Sequence, residues 1–258
     1  MKGGNGVIFW FSGSGNSCYA AEKLASNTGD DAGCMVNFSN SLPPLKNGES
    51  LGFVFPVYFY RVPAFVEAFV RSVKMSCPPE TYVFAVITCG GSIGNAGERF
   101  RALLRENGVP LTALFAVKMP DNYVLLYDPL PPEKQALCLA QADAALEKIA
   151  ERIRNREKYT EKRLRGHFPR ALTAIAAPMY EPARRTAGFF ADDRCVGCGK
   201  CAQICPERAI EIRGGRPVWV KDKCTLCLGC LHRCPKKAIQ KGAKTADRRR
   251  YVHPESGF

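Results

Sequence analysis

The chain has 258 residues, of which 46% are hydrophobic, and a formal net charge of +13. This composition supports a folded core and excludes a disordered chain, and the length allows one domain of ordinary size and one small domain. No apolar stretch approaches the ~20 residues of a membrane span, and the apolar run at residues 7–11 is too short for an export signal. We therefore predict a cytoplasmic protein without a membrane span.

Strand-like and helix-like patterns alternate along the first 130 residues. Apolar runs predict five strands, at residues 7–11, 33–38, 51–58, 82–88 and 111–118. Helical spacing of apolar residues predicts helices at residues 17–27, 62–75 and 96–106, and a longer one at 132–162. Buried strands that alternate with helices form a parallel sheet covered on both faces. The sequence therefore predicts an α/β fold in this part of the chain.

A loop of small and hydroxyl-bearing residues joins the first strand to the first helix. It reads Ser12-Gly13-Ser14-Gly15-Asn16-Ser17. The backbone N–H groups of such a turn and the positive end of the following helix suit a phosphate dianion. The loop lacks the lysine of a P-loop and the spacing of a dinucleotide fingerprint, which favours a terminal monophosphate. Taken alone, the same residues are also compatible with an ordinary Gly/Ser turn.

Two further loops follow the third and fourth predicted strands. They are Pro56-Val57-Tyr58-Phe59 and a segment that contains Thr88, Cys89, Gly90, Gly91, Gly94 and Asn95. Together with residues 12–17, these loops resemble the FMN-binding loops of flavodoxins. The resemblance implies a flavodoxin-like doubly wound five-stranded sheet of order 2-1-3-4-5, in which the three loops meet at the carboxyl ends of the strands. It also implies that these residues bind FMN, with Tyr58 or Phe59 along the flavin ring.

Residues 119–123 follow the fifth predicted strand and are also similar to this group. Asp121, Asn122 and Tyr123 are candidates to line the open face of the flavin or to structure the loop. Cys89 is a candidate for either packing or contact with the flavin. Cys18 is interpreted as a core residue, and Cys34, Cys77 and Cys138 as buried or incidental. The three histidines are scattered and indicate no catalytic triad or metal site: His167, His232 and His253.

Eight of the thirteen cysteines form two copies of one spacing. The copies are Cys195-x2-Cys198-x2-Cys201-x3-Cys205-Pro206 and Cys224-x2-Cys227-x2-Cys230-x3-Cys234-Pro235. In bacterial-type ferredoxins with this spacing, the first three cysteines bind one [4Fe-4S] cluster and the fourth binds the other. We therefore predict two clusters, one on Cys195, Cys198, Cys201 and Cys234 and one on Cys224, Cys227, Cys230 and Cys205.

Two other interpretations of these cysteines are less well supported. A zinc site uses four ligands, which two Cys-x2-Cys pairs already supply. Zinc would therefore give no reason for a third and a fourth cysteine in each motif. A disulfide framework needs an oxidising compartment, and nothing in the sequence suggests export. The cysteines therefore favour one-electron chemistry.

The loops and the cysteine motifs together resemble the flavodoxin–ferredoxin fusion proteins of anaerobes over nearly the whole chain. The resemblance implies four parts: an FMN-binding domain at 1–165, a connector at 166–189, a small α+β two-cluster ferredoxin domain at 190–241 and a basic polar tail at 242–258. The chain departs from flavodoxins in one respect. Residues 1–150 carry 12 Lys and Arg against 13 Asp and Glu, which is nearly neutral, whereas flavodoxins are usually acidic.

The positive charge lies in the C-terminal part of the chain. Residues 151–258 carry 25 Lys and Arg against 11 Asp and Glu. Such a basic region is suited to docking a redox partner protein with an acidic surface. No nucleic-acid-binding module is recognisable and the cations are dispersed, so we predict no nucleic-acid partner.

These features predict an electron-transfer flavo-iron-sulfur protein that passes electrons between FMN and two [4Fe-4S] clusters, as a redox carrier or adaptor. Joining the cofactors in one chain gives them a high effective concentration. The alternative is a flavin-dependent reductase of a small-molecule substrate that the clusters supply with electrons. No side chain is predicted to act as an acid–base catalyst, and the sequence has no nicotinamide fingerprint.

Overall fold

In a computed structural model, which describes residues 6–38, 44–75 and 77–257, the N-terminal part of the chain forms a six-stranded parallel sheet. Its strands are β1 (Gly6–Trp10), β2 (Asp31–Cys34), β3 (Ser50–Pro56), β4 (Tyr82–Cys89), β5 (Ala113–Lys118) and β6 (Tyr159–Thr160). They lie in the order β2-β1-β3-β4-β5-β6, and every neighbouring pair is parallel. The α/β fold and the flavodoxin-like order of the first five strands are confirmed.

Four helices cover the two faces of the sheet. They are α1 (Asn16–Thr28), α2 (Ala64–Ser72), α3 (Ala96–Glu106) and α4 (Pro132–Arg154). In β1, Phe9 packs in the core under α2 and α3, whereas Ile8 and Trp10 pack under α1 and α4. Because successive residues of a strand point to opposite faces, strands covered on both sides are apolar throughout. Among the described residues, no helix combines the length and the apolar character that a membrane crossing needs.

The sheet differs from the expectation in its edge strands. The sixth strand, β6, pairs with β5 and lies within the segment expected to continue the long helix. That helix ends at Arg154, and Arg156 has a left-handed φ of 52° that turns the chain back to the sheet. The ring of Tyr159 then stacks on Phe115 with centroids 5.0 Å apart. The second strand ends at Cys34 rather than continuing to residue 38, because residues 35–37 form a 3-10 turn.

The segment expected to be a connector holds a fifth helix, α5 (Pro169–Ala183). A proline at the first turn is compatible with a helix, since no intrahelical bond is lost there. The helix continues through Pro178 to the buried Tyr180. The Tyr180 hydroxyl donates to the carbonyl of Thr225 at 2.7 Å and accepts from the amide of Ala64 at 3.2 Å. Helix α5 therefore joins the sheet domain to the cysteine-containing domain.

The cysteine-containing domain is small and built from short elements. It has two antiparallel strand pairs and two one-turn helices: β7 (Phe189–Ala191) with β10 (Ile239–Lys241), β8 (Ile210–Arg213) with β9 (Arg216–Trp219), α6 (Lys200–Gln203) and α7 (Gly229–His232). Its buried core includes Leu226, Leu228, Leu231 and Ile239. The α+β character expected for this part of the chain is present.

The C-terminal segment runs back to the sheet domain. We call residues 246–257 the strap. It was expected to be part of a polar tail, but Tyr251 and His253 are each only 2% exposed. The amide of His253 donates to the carbonyl of Ser14 at 2.8 Å. Two aromatic rings in an otherwise polar segment provide the buried surface that attaches it.

Candidate cofactor sites

The eight motif cysteines line two separate cavities in the small domain. The first cavity is lined by Cys195, Cys198, Cys201 and Cys234. The second is lined by Cys205, Cys224, Cys227 and Cys230. The fourth cysteine of each motif therefore lies with the first three cysteines of the other motif. The structure groups the cysteines in the crossed sets expected from the spacing.

The two cavities differ in the residues that surround them. At the first cavity, Cys198 is exposed and the neighbouring Val196 is 61% exposed. The second cavity lies beside the stacked rings of Phe189 and Trp219, whose centroids are 5.5 Å apart. Burial raises the pKa of the Cys227 thiol to about 12. A thiolate at such a position needs a cationic centre to offset the loss of solvation, as iron would provide.

Backbone amides point at several of the cysteine sulfurs. The amides of Ala209 and Ala238 donate to the Sγ atoms of Cys205 and Cys234, each at 3.3 Å. These two bonds are related by the sequence repeat. Hydrogen bonds to sulfur stabilise the thiolate and tune the potential of an iron–sulfur centre. In the described ranges, no group of three or more His, Cys, Asp or Glu side chains is arranged to hold a single metal ion.

A cleft of about 430 Å³ lies at the carboxyl edge of the parallel sheet, where it meets the small domain. This volume is in the range of small-molecule and cofactor sites. All three loops singled out in the sequence contribute to it. The expected cofactor-binding residues that line the cleft are Ser12, Gly13, Ser14, Asn16, Ser17, Pro56, Val57, Tyr58, Phe59, Thr88, Cys89, Gly90 and Gly91.

Three of the expected residues lie outside the lining of the cleft. Gly15 has a φ of +97°, and a Cβ atom there would lie 2.2 Å from the Oγ of Ser256 in the strap. Gly94 and Asn95 lie against α5, where the Asn95 amide donates to the Oγ1 of Thr173 at 2.9 Å. These residues shape the loops and connect them to other elements.

Several lining residues were not singled out in the sequence. Helix α5 contributes Ala176 and Met179, and the second cysteine motif contributes residues 226–228. These segments follow the loops by more than 80 residues, and no local pattern indicates that they approach the sheet. The remaining additions are Tyr60, Leu126 and Tyr127, whereas Ser92, Met119 and Pro120 lie within segments that the sequence analysis considered. Asp121, Asn122 and Tyr123, which the sequence left between two roles, also line the cleft.

The loop at residues 12–17 presents unpaired amide donors at the start of α1. Within the described residues, the amides of Gly13, Ser14, Asn16 and Ser17 donate to no protein atom, whereas the amide of Gly15 donates to Ser12 Oγ at 3.0 Å. All six residues of the loop are buried. Buried amides without partners are costly, and a helix N-terminus favours an anion. The donor set fits a phosphate group.

The side chains of this loop are used to hold it in place. Asn16 donates from Nδ2 to the carbonyl of Pro120 at 3.0 Å and accepts at Oδ1 from the Tyr251 hydroxyl at 2.6 Å. Ser17 Oγ and Thr88 Oγ1 are hydrogen-bonded at 2.8 Å, which joins the first loop to the third. The Asn16 side chain is therefore occupied by protein partners, and its amide remains available.

The second loop holds aromatic side chains in an uncommon backbone conformation. Phe59 and Tyr60 have φ values of +51° and +57°, which bulky residues rarely adopt. A pair of hydrogen bonds between the backbones of Tyr58 and Arg61, at 3.0 and 2.8 Å, closes the turn. Burial raises the pKa of Tyr58 well above its usual value, so its hydroxyl stays protonated. Such strain is concentrated at functional sites.

The third loop passes close to an acidic side chain. A Cβ atom on Gly90 would lie 2.3 Å from the Oδ2 of Asp121, so only glycine permits this approach. Asp121 accepts from the hydroxyl of Tyr127 and from the amide of Tyr123 at 3.0 Å. Burial and this carboxylate raise the pKa of Tyr127. The glycine backbone of the third loop and the Asp121 side chain are therefore in direct contact in the lining of the cleft.

The cleft and the second cysteine cavity share a wall. Cys227 and Leu228 line both of them. A Cβ atom on Gly13 would lie 2.1 Å from the carbonyl oxygen of Cys227, so the two backbones are in direct contact. The amide of Phe65 also donates to Thr225 Oγ1 at 2.8 Å. A group bound in the cleft and a group bound in the second cavity would therefore have little more than Cys227 and Leu228 between them.

Comparison with known proteins agrees with the chemistry of the cysteine motifs. Residues 194–239 match the family model of the 4Fe-4S dicluster domain. This segment contains all eight motif cysteines. A search of curated proteins finds no match. The chain therefore combines a flavodoxin-like α/β domain with a small iron–sulfur domain.

Solved structures give distant matches to the fold. A protein of Bacteroides uniformis described as a flavoprotein is 16% identical, with 45% of this chain and 92% of that chain covered and a TM-score of 0.37. The FMN-dependent NADH-azoreductase of Bacillus anthracis is 10% identical, covers 58% of this chain and 98% of its own, and has a TM-score of 0.38. Rubredoxin:oxygen oxidoreductase of Desulfovibrio gigas is 14% identical, and the match covers 57% of this chain and 37% of that chain with a TM-score of 0.34.

Proposed function

We propose that the chain is an electron-transfer protein that carries FMN in the cleft and one [4Fe-4S] cluster in each cysteine cavity. FMN exchanges one or two electrons and each cluster exchanges one, so together they connect two-electron and one-electron partners. The proposed domain boundaries are those expected from the sequence. The one change is that α5 and the strap lie where the two domains meet.

The residues proposed to hold FMN act through backbone and ring surfaces. The amides of Gly13, Ser14, Asn16 and Ser17 would bind its phosphate. Tyr58 and Phe59 offer aromatic surface to the ring, and the Gly90–Gly91 backbone offers polar groups without side-chain bulk. No residue of the cleft is given an acid–base role. The protein's contribution is to place the cofactors, exclude water and set their potentials.

The shared wall of Cys227 and Leu228 is the observation that carries this proposal. A carrier that merely stored electrons would not need its flavin site to touch its cluster site. Here the phosphate-binding loop and the second cysteine motif are in backbone contact at Gly13. The two domains are joined so that exchange between the sites does not require collision.

The exposed rim of the first cavity is proposed as the docking site for a redox partner. Lys200 and Lys236 line this cavity and are exposed, and Val196 adds an exposed apolar contact. Electron-transfer partners are commonly brought together by opposite charges around the cofactor edge. The proposed partner is therefore a redox protein with an acidic surface.

A second candidate function, reduction of a small molecule at the flavin, is favoured by the mouth of the cleft. Leu126, Tyr127 and Met179 line the cleft and are 69%, 42% and 58% exposed. An apolar, open rim would admit a flat apolar substrate. Saturable, substrate-dependent reoxidation of the reduced protein by a small molecule would favour this function over that of a carrier.

The first experiment is a cofactor count on protein purified and reconstituted without oxygen. We expect about eight iron, eight acid-labile sulfide and one FMN per chain. Iron without flavin would refute the flavin part of the proposal and leave an iron–sulfur carrier with a flavodoxin-like docking domain. Zinc in place of iron would refute the redox function.

A further inference from the structure

We propose that the outward face of α5 binds an anionic lipid surface, so that the protein docks on a membrane without crossing it. The inference goes beyond the proposed function and does not depend on any cofactor. It is carried by the exposed apolar residues of this helix, by the cations that flank them, and by the side chains through which the helix is attached to the protein.

The outward face of α5 is apolar along its whole length. Phe168, directly before the helix, is 78% exposed, and Ile175 and Met179 are 74% and 58% exposed. The other exposed residues at the same helical spacing are also apolar: Ala171, Ala174, Pro178 and Pro182. A surface helix ordinarily presents polar residues to water and apolar residues to the core. In α5 this pattern is inverted.

The attachment of α5 to the protein does not use this face. Of the 15 residues of the helix, all of which the structure describes, only Tyr180 is buried. Its hydroxyl is bonded to the carbonyl of Thr225 and the amide of Ala64. On the preceding turns, Thr173 Oγ1 accepts from the amide of Asn95 at 2.9 Å. The contacts that hold the helix therefore leave its outward apolar residues exposed.

The apolar face extends to the mouth of the cleft. Met179 lines the cleft together with Leu126 and Tyr127, which are 69% and 42% exposed. Apolar surface that extends over several neighbouring side chains marks an interaction site on a protein. A surface that covers the outward face of α5 would therefore also lie against the opening of the cleft.

Cations flank the apolar face near both ends of α5. Residues 162–185 contain six Lys and Arg and one acid, Glu181. Glu181 is already paired with Arg184 at 3.1 Å and with Lys223 at 3.2 Å. Four of the six cations are exposed and form no salt bridge with any described residue: Lys162, Arg163, Arg170 and Arg185. The helix is thus apolar on its outward face and cationic around it.

This combination favours a lipid surface over a second copy of the chain. An interfacial helix inserts its apolar side chains at the acyl boundary while Lys and Arg meet the anionic headgroups. Symmetrical pairing of two copies through α5 would bring two cationic regions together, which is unfavourable. An anionic lipid surface has the complementary charge and buries the apolar face at the same time.

The test mixes the full-length, reconstituted protein with vesicles and measures the bound fraction by sedimentation. The vesicles contain phosphatidylcholine with about 30% phosphatidylglycerol as the anionic lipid. We expect binding to vesicles of phosphatidylcholine alone to be about tenfold weaker. A rise in salt from about 0.1 to about 0.5 M should weaken binding to the anionic vesicles about fivefold, because it screens the cations.

Variants of the face separate the apolar contribution from general stickiness. Phe168→Ser/Ile175→Gln removes its two most exposed side chains, neither of which lines the cleft, and should weaken binding by about tenfold or more. The matched control is Val218→Thr/Val220→Thr, which changes two side chains of the small domain that are each 37% exposed and should leave binding unchanged. Iron content and circular dichroism show whether each variant is folded.

A second variant tests the cations and leaves the apolar face intact. Arg163→Gln/Arg170→Gln should weaken binding to the anionic vesicles about tenfold and leave binding to neutral vesicles unchanged. Equal binding of the unmodified protein to both kinds of vesicle, or equal binding of Phe168→Ser/Ile175→Gln and its control, would refute the docking face.

Two other results would also overturn the proposal and identify a different occupant. A protein that binds no vesicles but forms a dimer, which Phe168→Ser/Ile175→Gln dissociates, would show that a second copy covers α5. A monomer that binds no vesicles would leave a protein partner for this face. The cofactor count is independent of all these results, so the docking face can fail while the proposed function stands, and the reverse.

Discussion

At the scale of single residues, the closest approach between the domains depends on a missing side chain. Gly13 has no Cβ, and its backbone touches the carbonyl of Cys227. Because the obstacle is backbone on both sides, it cannot move aside as the end of a flexible side chain would. The contact that joins the two proposed cofactor sites therefore rests on one glycine.

Gly13→Ala is expected to separate the phosphate-binding loop from the second cysteine motif. The added Cβ would lie 2.1 Å from the Cys227 oxygen, so one of the two loops must shift. We expect FMN affinity to fall by about tenfold or more, since a misplaced amide nest binds a phosphate less well. Fluorescence titration measures it. Gly188→Ala is the matched control, because its Cβ would meet only Lys241 Cγ at 3.8 Å; equal losses in both variants would contradict the argument.

Cysteine variants test the crossed grouping of ligands. Cys205 and Cys230 belong to different motifs but line the same cavity. The double variant Cys205→Ala/Cys230→Ala should therefore lose one cluster, about four iron per chain, whereas Cys201→Ala/Cys205→Ala should damage both sites. Iron and sulfide analysis distinguishes these results. If each motif held its own cluster, the two double variants would show the opposite pattern.

At the scale of secondary-structure elements, α5 is the main link between the domains. Its Tyr180 hydroxyl is bonded to the carbonyl of Thr225 and the amide of Ala64. Tyr180→Phe leaves both groups buried without a partner and should lower the free energy of unfolding by about 1–3 kcal/mol. Thermal unfolding followed by circular dichroism measures the loss.

The control for this variant is Tyr82→Phe, which removes a similar bond to the carbonyl of Glu157, at 2.7 Å, within the sheet domain. Both variants should be less stable. Only Tyr180→Phe should increase proteolytic cleavage around α5 and the second cysteine motif. Equal cleavage in the two variants would show that α5 does not join the domains.

The strap should open more readily at acidic pH. Burial lowers the pKa of His253 to about 4, although the nearby Asp143 opposes this shift. The other groups beside it are Tyr19, Lys23 and Glu255. Because the released histidine has a pKa near 6.5, the open state binds more protons below that value. The closed state is therefore favoured above pH 6.5 and loses stability as the pH falls towards 4.

The expected size of this effect is about a tenfold increase in the opening constant between pH 7.5 and 5.5. Amide hydrogen exchange of the strap measures it, after correction for the intrinsic pH dependence of exchange. His253→Gln should remove the extra pH dependence. The same dependence in that variant would show that another group is responsible.

The elements differ in how far the sequence could predict them. Strands β1, β3, β4 and β5 are continuous apolar runs, because both faces of the sheet are covered. Their observed order is the one that the resemblance to flavodoxins implies. The two-residue β6 carries too little pattern to be recognised. The positions of α5 and the strap depend on contacts between residues far apart in the chain, such as Tyr251 with Asn16. A local pattern contains no information about such pairs.

At the scale of the whole molecule, charge and cofactor position point to the same surface. Residues 151–258 hold 25 Lys and Arg against 11 Asp and Glu. The first cysteine cavity lies in this part of the chain with Lys200 and Lys236 on its rim, whereas the second is turned towards the cleft. The arrangement gives the proposed redox chain one end that faces basic surface and one end that faces the flavin site.

Small oxidants of opposite charge can test this polarity without knowledge of the partner. Oxidation of the reduced protein by the anion ferric EDTA should slow as salt is added, since screening weakens its attraction to the basic rim. Oxidation by the cation hexaamminecobalt(III) should accelerate. Lys200→Gln/Lys236→Gln should reduce the salt dependence for the anion, whereas the exposed Lys46→Gln in the sheet domain should not. If salt affected both oxidants alike, electrons would leave through a site that the basic surface does not govern, and the open rim of the cleft at Leu126 and Met179 would become the favoured exit.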